Sequence, residues 1–162
     1  MTIKYFLCLI LICVCTNSYG SALHTQLIDD LNHLASNALM GRKTATEGAA
    51  NTRAYLHSRL SKFNLNVSEQ TFTYKSGIFE HAQGINIIAV PTKSTQRKKI
   101  IITAHYDHLG KRGGKYYFGA NDNATGVAAL LYLASSLQNT EFPCELVFVL
   151  TDAEENGLHG SK

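Results

Sequence analysis

Three short segments of the sequence combine imidazole and carboxylate side chains in a pattern that suits metal-dependent hydrolysis. The first is His105-Tyr106-Asp107-His108, the second contains Asp122, and the third contains Glu154-Glu155. Imidazole nitrogens and carboxylate oxygens are ligands that zinc accepts, and a further carboxylate can act as a general base toward water. Each segment alone has an ordinary structural explanation, but the three together indicate a hydrolytic metal centre.

The spacing within these segments suggests a role for each side chain. His105 and Asp107 alternate along a predicted strand, so both side chains are expected on the same face, where Asp107 could orient His105 or a neighbouring ligand. Asp122 is a short carboxylate near a predicted helix start, which suits it to bridging two ions. Glu154 and Glu155 are adjacent and point in different directions, so one can bind metal while the other acts as the base.

The elements that must position these residues follow from hydrophobic periodicity. Apolar runs predict strands over 98–105 and 145–151, and the run in 98–105 is typical of a strand covered on both faces. An apolar stripe predicts a helix over 122–138 between them. Strand, helix and strand form a crossover unit with parallel strands in an α/β sheet, and sites in such sheets form beyond the carboxyl ends of the strands.

The preceding part of the chain is also predicted to contain both helices and strands. Leucines at helical spacing predict one helix over 21–35, and a second is predicted over 46–63. Alternating and apolar runs then predict strands over 66–74 and 85–90, and a small strand or loop over 115–118.

The first twenty residues have the pattern of a secretory signal peptide. One charged residue, Lys4, precedes the apolar run 5–15, and small residues follow. We expect cleavage after Gly20, or alternatively after Ala22, and a secreted or periplasmic protein with no stable membrane association after cleavage; an uncleaved membrane anchor is the alternative. Cleavage leaves Cys144 as the one remaining cysteine, which excludes an internal disulfide. The domain prediction is therefore a signal peptide over 1–20 and a single domain over 21–162 that carries the predicted hydrolytic metal centre.

The composition is that of a globular protein without affinity for nucleic acid. Hydrophobic residues make up 45% and charged residues 17% of the chain, and the formal net charge is +3. The densest basic stretch, Arg97-Lys98-Lys99, directly precedes an apolar strand and is interpreted as its solvated entrance.

The three motifs resemble those of a known enzyme family. The segments ITAHYDHLG, GANDNATGVAALL and VLTDAEENGLHGS are similar to the core motifs of the co-catalytic, two-zinc aminopeptidases of the bacterial leucyl aminopeptidase type. Relatives of that family include glutamate carboxypeptidase and glutaminyl cyclase. The stretch from Leu39-Met40-Gly41-Arg42 through Tyr55 also resembles the family's N-terminal region. The resemblance implies a three-layer α/β sandwich with a mixed, centrally parallel sheet flanked by helices.

The resemblance also assigns roles to individual residues. It implies that His105 binds one zinc ion, Asp122 bridges two, Glu155 binds the second, Glu154 is the general base, and Asp107 and Asn123 support this set from behind. It further implies a cis peptide bond after Asp122.

The family has two more ligands, an aspartate and a histidine on later loops, which nothing after Lys162 supplies here. His108 and His159 are not expected to replace them, because the family does not use these motif positions as ligands. The chain is therefore expected to be an N-terminal fragment, inactive alone, of an aminopeptidase that acts on peptides with a free N-terminus. A carboxypeptidase, a glutaminyl-cyclase-like enzyme and a non-catalytic truncated product remain as alternatives.

Overall fold

The computed structural model describes residues 22–93 and 98–162. The predicted signal peptide, residues 1–20, lies outside the described residues. Within them, no helix is both long enough and apolar enough to cross a lipid bilayer.

Three helices and six strands form the described part of the chain. The helices are α1 (22–34), α2 (Glu47–Leu60) and α3 (Thr125–Leu137). The strands are β1 (Leu65–Lys75), β2 (His81–Pro91), β3 (Lys99–His105), β4 (Gly110–Arg112), β5 (Lys115–Tyr117) and β6 (Glu145–Thr151). Each predicted element has a counterpart, with ends that differ by a few residues.

The larger sheet is mixed, with the order β1-β2-β6-β3. β1 pairs with β2, and β2 with β6, in antiparallel fashion, while β3 and β6 are parallel. The crossover from β3 through α3 to β6 is the predicted unit, so the expected mixed α/β sheet with parallel pairing of β3 and β6 is confirmed. β4 and β5 form a separate two-stranded hairpin.

A single apolar core joins the helices to the sheet. It contains Leu34 from α1, Leu56 from α2 and Leu131 from α3, together with Phe148 and Leu150 from β6. Residues Leu146, Phe148 and Leu150 alternate along β6, so they share one face of the sheet, and the three helices bury their apolar stripes against it.

The prediction that the strand over 98–105 is covered on both faces is wrong for the described residues. β3 lies at the edge of the sheet, and the side chains of Ile100 and Ile101 are exposed. Adjacent strand residues point to opposite faces, so this end of β3 is uncovered on both. An apolar run indicates a strand but does not specify its neighbours.

The predicted helix start at Asp122 also needs correction, because α3 begins at Thr125. An irregular turn over Ala120–Ala124 precedes it, in which Asp122 (φ −126°, ψ 92°) and Asn123 (φ −133°, ψ 41°) are not helical. Asp122 therefore belongs to the connection that leads into the helix.

A buried ion pair ties α1 to α2. Arg59 donates to both carboxylate oxygens of Asp30, at 2.6 and 2.9 Å, and the hydroxyl of Tyr55 donates to Asp30 Oδ1 at 2.5 Å. Asp30 and Arg59 are both buried. The hydrogen bond to Asp30 raises the pKa of Arg59, and burial together with Asp30 raises the pKa of Tyr55.

Replacing Asp30 by Ala should lower the free energy of unfolding by about 3–5 kcal/mol, because it leaves the buried Arg59 guanidinium without its partner. Glu69→Ala is the matched control, since it removes partly exposed pairs with His57 and Arg53 and should cost less than about 1 kcal/mol. Denaturant unfolding of both variants measures the difference. Equal losses would contradict the assignment of Asp30 as a buried anchor.

Candidate metal centre

The parallel pairing of β3 and β6 brings two of the three motifs together. His105 is the last residue of β3 and lies opposite Thr151, the last residue of β6. Both motifs therefore continue beyond the carboxyl-terminal ends of these two strands, on the same side of the sheet. The turn before α3 delivers the third motif, and the Nε2 atom of His105 lies 3.1 Å from Asp122 Oδ1. The Asp122 side chain is 62% exposed, so this carboxylate is accessible from solvent.

The side chains of His108 and Glu155 also lie close to Asp122. The Nδ1 atom of His108 lies 2.5 Å from Glu155 Oε1. One ligand atom from each of His108, Asp122 and Glu155 can be chosen so that all three lie within 4.8 Å of one another. Asp122 therefore has two sets of close neighbours, His105 and the His108–Glu155 pair. One nitrogen and two oxygen donors at this separation form a donor set that zinc accepts.

Asp107 is fully buried and positions the groups around it. Its two carboxylate oxygens accept hydrogen bonds from the backbone N–H groups of Glu154 at 3.1 Å and Glu155 at 3.2 Å. The Nδ1 atom of His105 lies 3.2 Å from the Asp107 carbonyl oxygen and 3.7 Å from its Oδ1 atom. The one side chain therefore holds the strand-end histidine and the glutamate pair in register.

The electrostatic surroundings of His105 are strongly negative. Burial acts to lower the pKa of His105, but Asp107 and the nearby charge of Glu154 outweigh it, so the pKa is raised. A cation at this position is therefore favoured. The carboxylate of Glu154 lies near the imidazole without being a member of the His108, Asp122 and Glu155 group.

Asp152, two residues before Glu154, is buried in a network that connects three segments. Its Oδ1 atom accepts hydrogen bonds from the Thr44 hydroxyl at 2.7 Å and the Ala153 N–H at 2.8 Å. Its Oδ2 atom accepts from the Tyr106 hydroxyl at 2.9 Å and the Ile85 N–H at 3.0 Å. Burial raises the pKa of Asp152, while the hydrogen bonds from Thr44, Ile85 and Tyr106 act to lower it.

Arg42 holds the loop after α1 against the strand end and the turn before α3. Its guanidinium donates to four carbonyl groups: those of Tyr106 at 2.8 Å, Phe118 at 2.6 Å, Gly119 at 2.9 Å, and Leu34. The residue is fully buried, and burial lowers its pKa to about 10, while Asp107 and Asp122 act to raise it. A buried cation therefore lies behind the carboxylates of the centre.

Asn123 has a structural contact in the described residues. Its Oδ1 atom accepts a hydrogen bond from the N–H of Gly126 at 3.1 Å, in the first turn of α3. The Asp122–Asn123 peptide bond is cis, as the family resemblance implies.

The structure thus brings together His105, Asp107, Asp122, Glu154 and Glu155, and places Asn123 at the start of α3. His108 is not an expected ligand, yet its ring contacts Glu155. No role is predicted from the sequence for Arg42, Thr44, Tyr106 or Asp152. Asp152 directly precedes Ala153-Glu154-Glu155, which is a sequence signal for a role at the site. Three of its four hydrogen-bond donors, Thr44, Ile85 and Tyr106, are distant in the chain and are not indicated by that signal.

The C-terminal half of the chain matches a family model. Residues 86–162 match the model described as Peptidase family M28. Aminopeptidase YwaD of Bacillus subtilis is 32% identical over 93 residues, which are 57% of this chain and 19% of that protein. The chain therefore spans about a fifth of the length of this curated relative.

Solved structures share the fold. A glutaminyl cyclase from Macrostomum lignano is 29% identical with a TM-score of 0.63, over 76% of this chain and 37% of that one. A Zn-dependent exopeptidase from Parabacteroides distasonis is 21% identical with a TM-score of 0.65, over 83% of this chain and 46% of that one. This chain covers less than half of either structure.

Replacing Arg42 by Lys should lower the free energy of unfolding by about 2–4 kcal/mol, because an ammonium group cannot reach four carbonyl acceptors and leaves several of them unpaired. Arg112→Lys, on the exposed hairpin, is the control and should change stability by less than about 0.5 kcal/mol. Thermal and denaturant unfolding of the two variants test this. Equal stability of Arg42→Lys and the unmodified protein would contradict the role of the guanidinium.

Proposed function

We propose that the whole protein is an exported zinc-dependent exopeptidase, and specifically an aminopeptidase. The premise is that residues 86–162 match Peptidase family M28. The observation that carries the proposal is that both His105 and the His108–Glu155 pair lie close to Asp122. A bridging carboxylate between two sets of donors suits a pair of metal ions.

The residues of this chain that would hold zinc are His105, Asp122 and Glu155, and Asp122 would be shared if two ions bind, as the family resemblance implies. Their nitrogen and oxygen donors fit zinc, and buried Asp107 supports His105 and Glu155 from behind in the way that metal ligands are commonly supported. His108 holds the Glu155 carboxylate through its ring nitrogen. The family resemblance assigns two more ligands to later loops, so the activity is proposed for the whole protein.

When bound, zinc supplies Lewis acidity that polarises a peptide carbonyl and makes water more acidic. Glu154 is proposed as the general base that accepts a proton from the attacking water and then delivers it to the leaving amine. Its backbone N–H is fixed by Asp107, which limits where its carboxylate can lie. In this arrangement Glu154 would transfer the proton, whereas its neighbour Glu155 would bind metal.

The proposed substrate is a peptide with a free N-terminus. This choice of substrate is supported by the similar protein of Bacillus subtilis, which is named an aminopeptidase. Export is supported by the signal-peptide pattern of residues 1–20.

Replacing Glu154 by Gln should lower kcat about 10²–10⁴-fold with little change in zinc content, because the proton acceptor is lost and the ligands remain. Replacing Glu155 by Gln should lower zinc content as well as activity. Elemental analysis of dialysed full-length protein, combined with hydrolysis of an unblocked leucyl peptide, separates the two effects.

Glu141→Gln, an exposed substitution outside the centre, is the control for loss of a carboxylate. A Glu154→Gln protein with unchanged kcat would overturn the role of general base. A full-length protein that retains no zinc after dialysis would contradict the metal centre itself and favour the non-catalytic alternative.

A glutaminyl cyclase is the second candidate, because the Macrostomum lignano relative at 29% identity carries that name. A peptide that begins with Gln and has a blocked C-terminus distinguishes the two reactions. Release of free glutamine indicates an aminopeptidase, whereas loss of ammonia with retention of the peptide chain indicates a cyclase.

The carboxypeptidase alternative needs a separate substrate. A peptide that is acetylated at its N-terminus and free at its C-terminus should be resistant to the proposed aminopeptidase. Cleavage of its last residue would replace the aminopeptidase assignment by the carboxypeptidase one.

A further inference from the structure

A positively charged hairpin lies beside the candidate metal centre. The basic hairpin, residues 110–117, consists of β4, a two-residue turn and β5. It carries Lys111, Arg112 and Lys115, all of which are exposed, and the side chain of Lys43 lies against its base at Gly110. The sequence between His108 and Asp122 contains no acidic residue. Four cations therefore lie on one short surface without a carboxylate among them.

The base of the basic hairpin is fixed at the rim of the centre. β4 begins two residues after His108, and β5 ends five residues before Asp122. The N–H of Gly110 donates to the Gly41 carbonyl at 3.0 Å, and Arg42 binds the carbonyl groups of Phe118 and Gly119 just after β5. Because three extended residues span roughly 10 Å, the charged tip lies about that far from the rim.

The tip of the hairpin has a defined geometry. Gly113 (φ 56°) and Gly114 (φ 82°) both occupy the left-handed region, as a tight two-residue hairpin turn requires, and nothing packs against either residue. Such a turn matches the twist of the flanking strands and holds them in register. The side chains of Arg112 and Lys115 are thereby presented to solvent in a fixed relation.

The charges of the hairpin are not compensated within the fold. Arg112 lies directly opposite Lys115 in the strand register, and like charges in this position destabilise a hairpin. Throughout residues 22–93 and 98–162, no carboxylate lies within ion-pair distance of Lys111, Arg112 or Lys115. Lys111 instead lies 5.4 Å from the centroid of the Tyr116 ring. An anion bound between Arg112 and Lys115 would relieve their repulsion.

We propose that the basic hairpin selects peptides with acidic side chains at the third and fourth residues from the N-terminus. The inference rests on the proposed exopeptidase function. An extended peptide advances by roughly 3.3 Å per residue, so a chain that runs from the centre along the hairpin reaches its tip about three residues later. The centre holds the amino end of the substrate, and the positive tip attracts its acidic side chains, so the peptide is oriented along the hairpin.

Full-length, zinc-loaded protein and three tetrapeptides test this proposal. The peptides begin with Leu-Gly and end with Glu-Glu, Gln-Gln or Lys-Lys. At low ionic strength, kcat/KM should be highest for the Glu-Glu peptide, by about fivefold or more over Gln-Gln, since two exposed ion pairs contribute modestly. The advantage should decline as salt is added, because salt screens exposed charges.

The double variant Arg112→Glu/Lys115→Glu should reverse the order, so that the Lys-Lys peptide becomes the best substrate. It keeps a like-charge pair in the same register, so the thermal unfolding midpoint should change little. Lys62→Glu is the control, because this exposed lysine follows α2 and lies outside the hairpin and the centre. The control should retain the preference for Glu-Glu.

The outcomes separate this inference from the function on which it rests. Cleavage of all three peptides with equal kcat/KM, or an unchanged preference in the double variant, would overturn the inference and leave the exopeptidase function intact. Cleavage of none by the unmodified protein would contradict both. A double variant that loses binding to phosphatidylglycerol vesicles while its peptide preference is unchanged would reassign the hairpin to an anionic membrane surface.

Discussion

The parallel pairing of β3 with β6 determines where the candidate ligands lie. Its register places His105 opposite Thr151, so the residues that follow each strand emerge side by side at one edge of the sheet. The carboxylate of Asp107, two residues after His105, accepts hydrogen bonds from the N–H groups of Glu154 and Glu155, which follow β6. A shift of one residue in this pairing would turn every side chain of the strand to the opposite face. The geometry of the centre therefore depends on the sheet register.

The buried charges behind the centre explain how its loops remain in place. Asp107, Asp152 and Arg42 have almost no contact with solvent, and a buried charge is costly unless its hydrogen-bonding capacity is satisfied. Asp152 receives four hydrogen bonds, and Arg42 donates to four carbonyl groups. Because their partners belong to several separate segments, satisfying these charges fixes the loop after α1, the end of β3 and the turn before α3 relative to one another.

Negative and positive charges occupy separate parts of the site. Carboxylates from Asp107, Asp122 and Glu154 lie near His105, whereas the basic hairpin carries the opposite sign without internal compensation. The modest net charge of +3 conceals this separation, because composition averages over the whole chain. Local arrangement of charge affects substrate orientation and the rate of encounter more than the total charge does.

The sequence by itself determined the element types, the crossover unit and the three motifs. These follow from local rules: hydrophobic period, small and polar residues at element ends, and the donor chemistry of His, Asp and Glu. The resemblance to a known family added a proposed role for each motif residue. Only the tertiary structure decided that β3 lies at a sheet edge, that His108 contacts Glu155, and that Asp152 joins three segments. Each of these depends on contacts between residues far apart in the chain, which local periodicity does not encode.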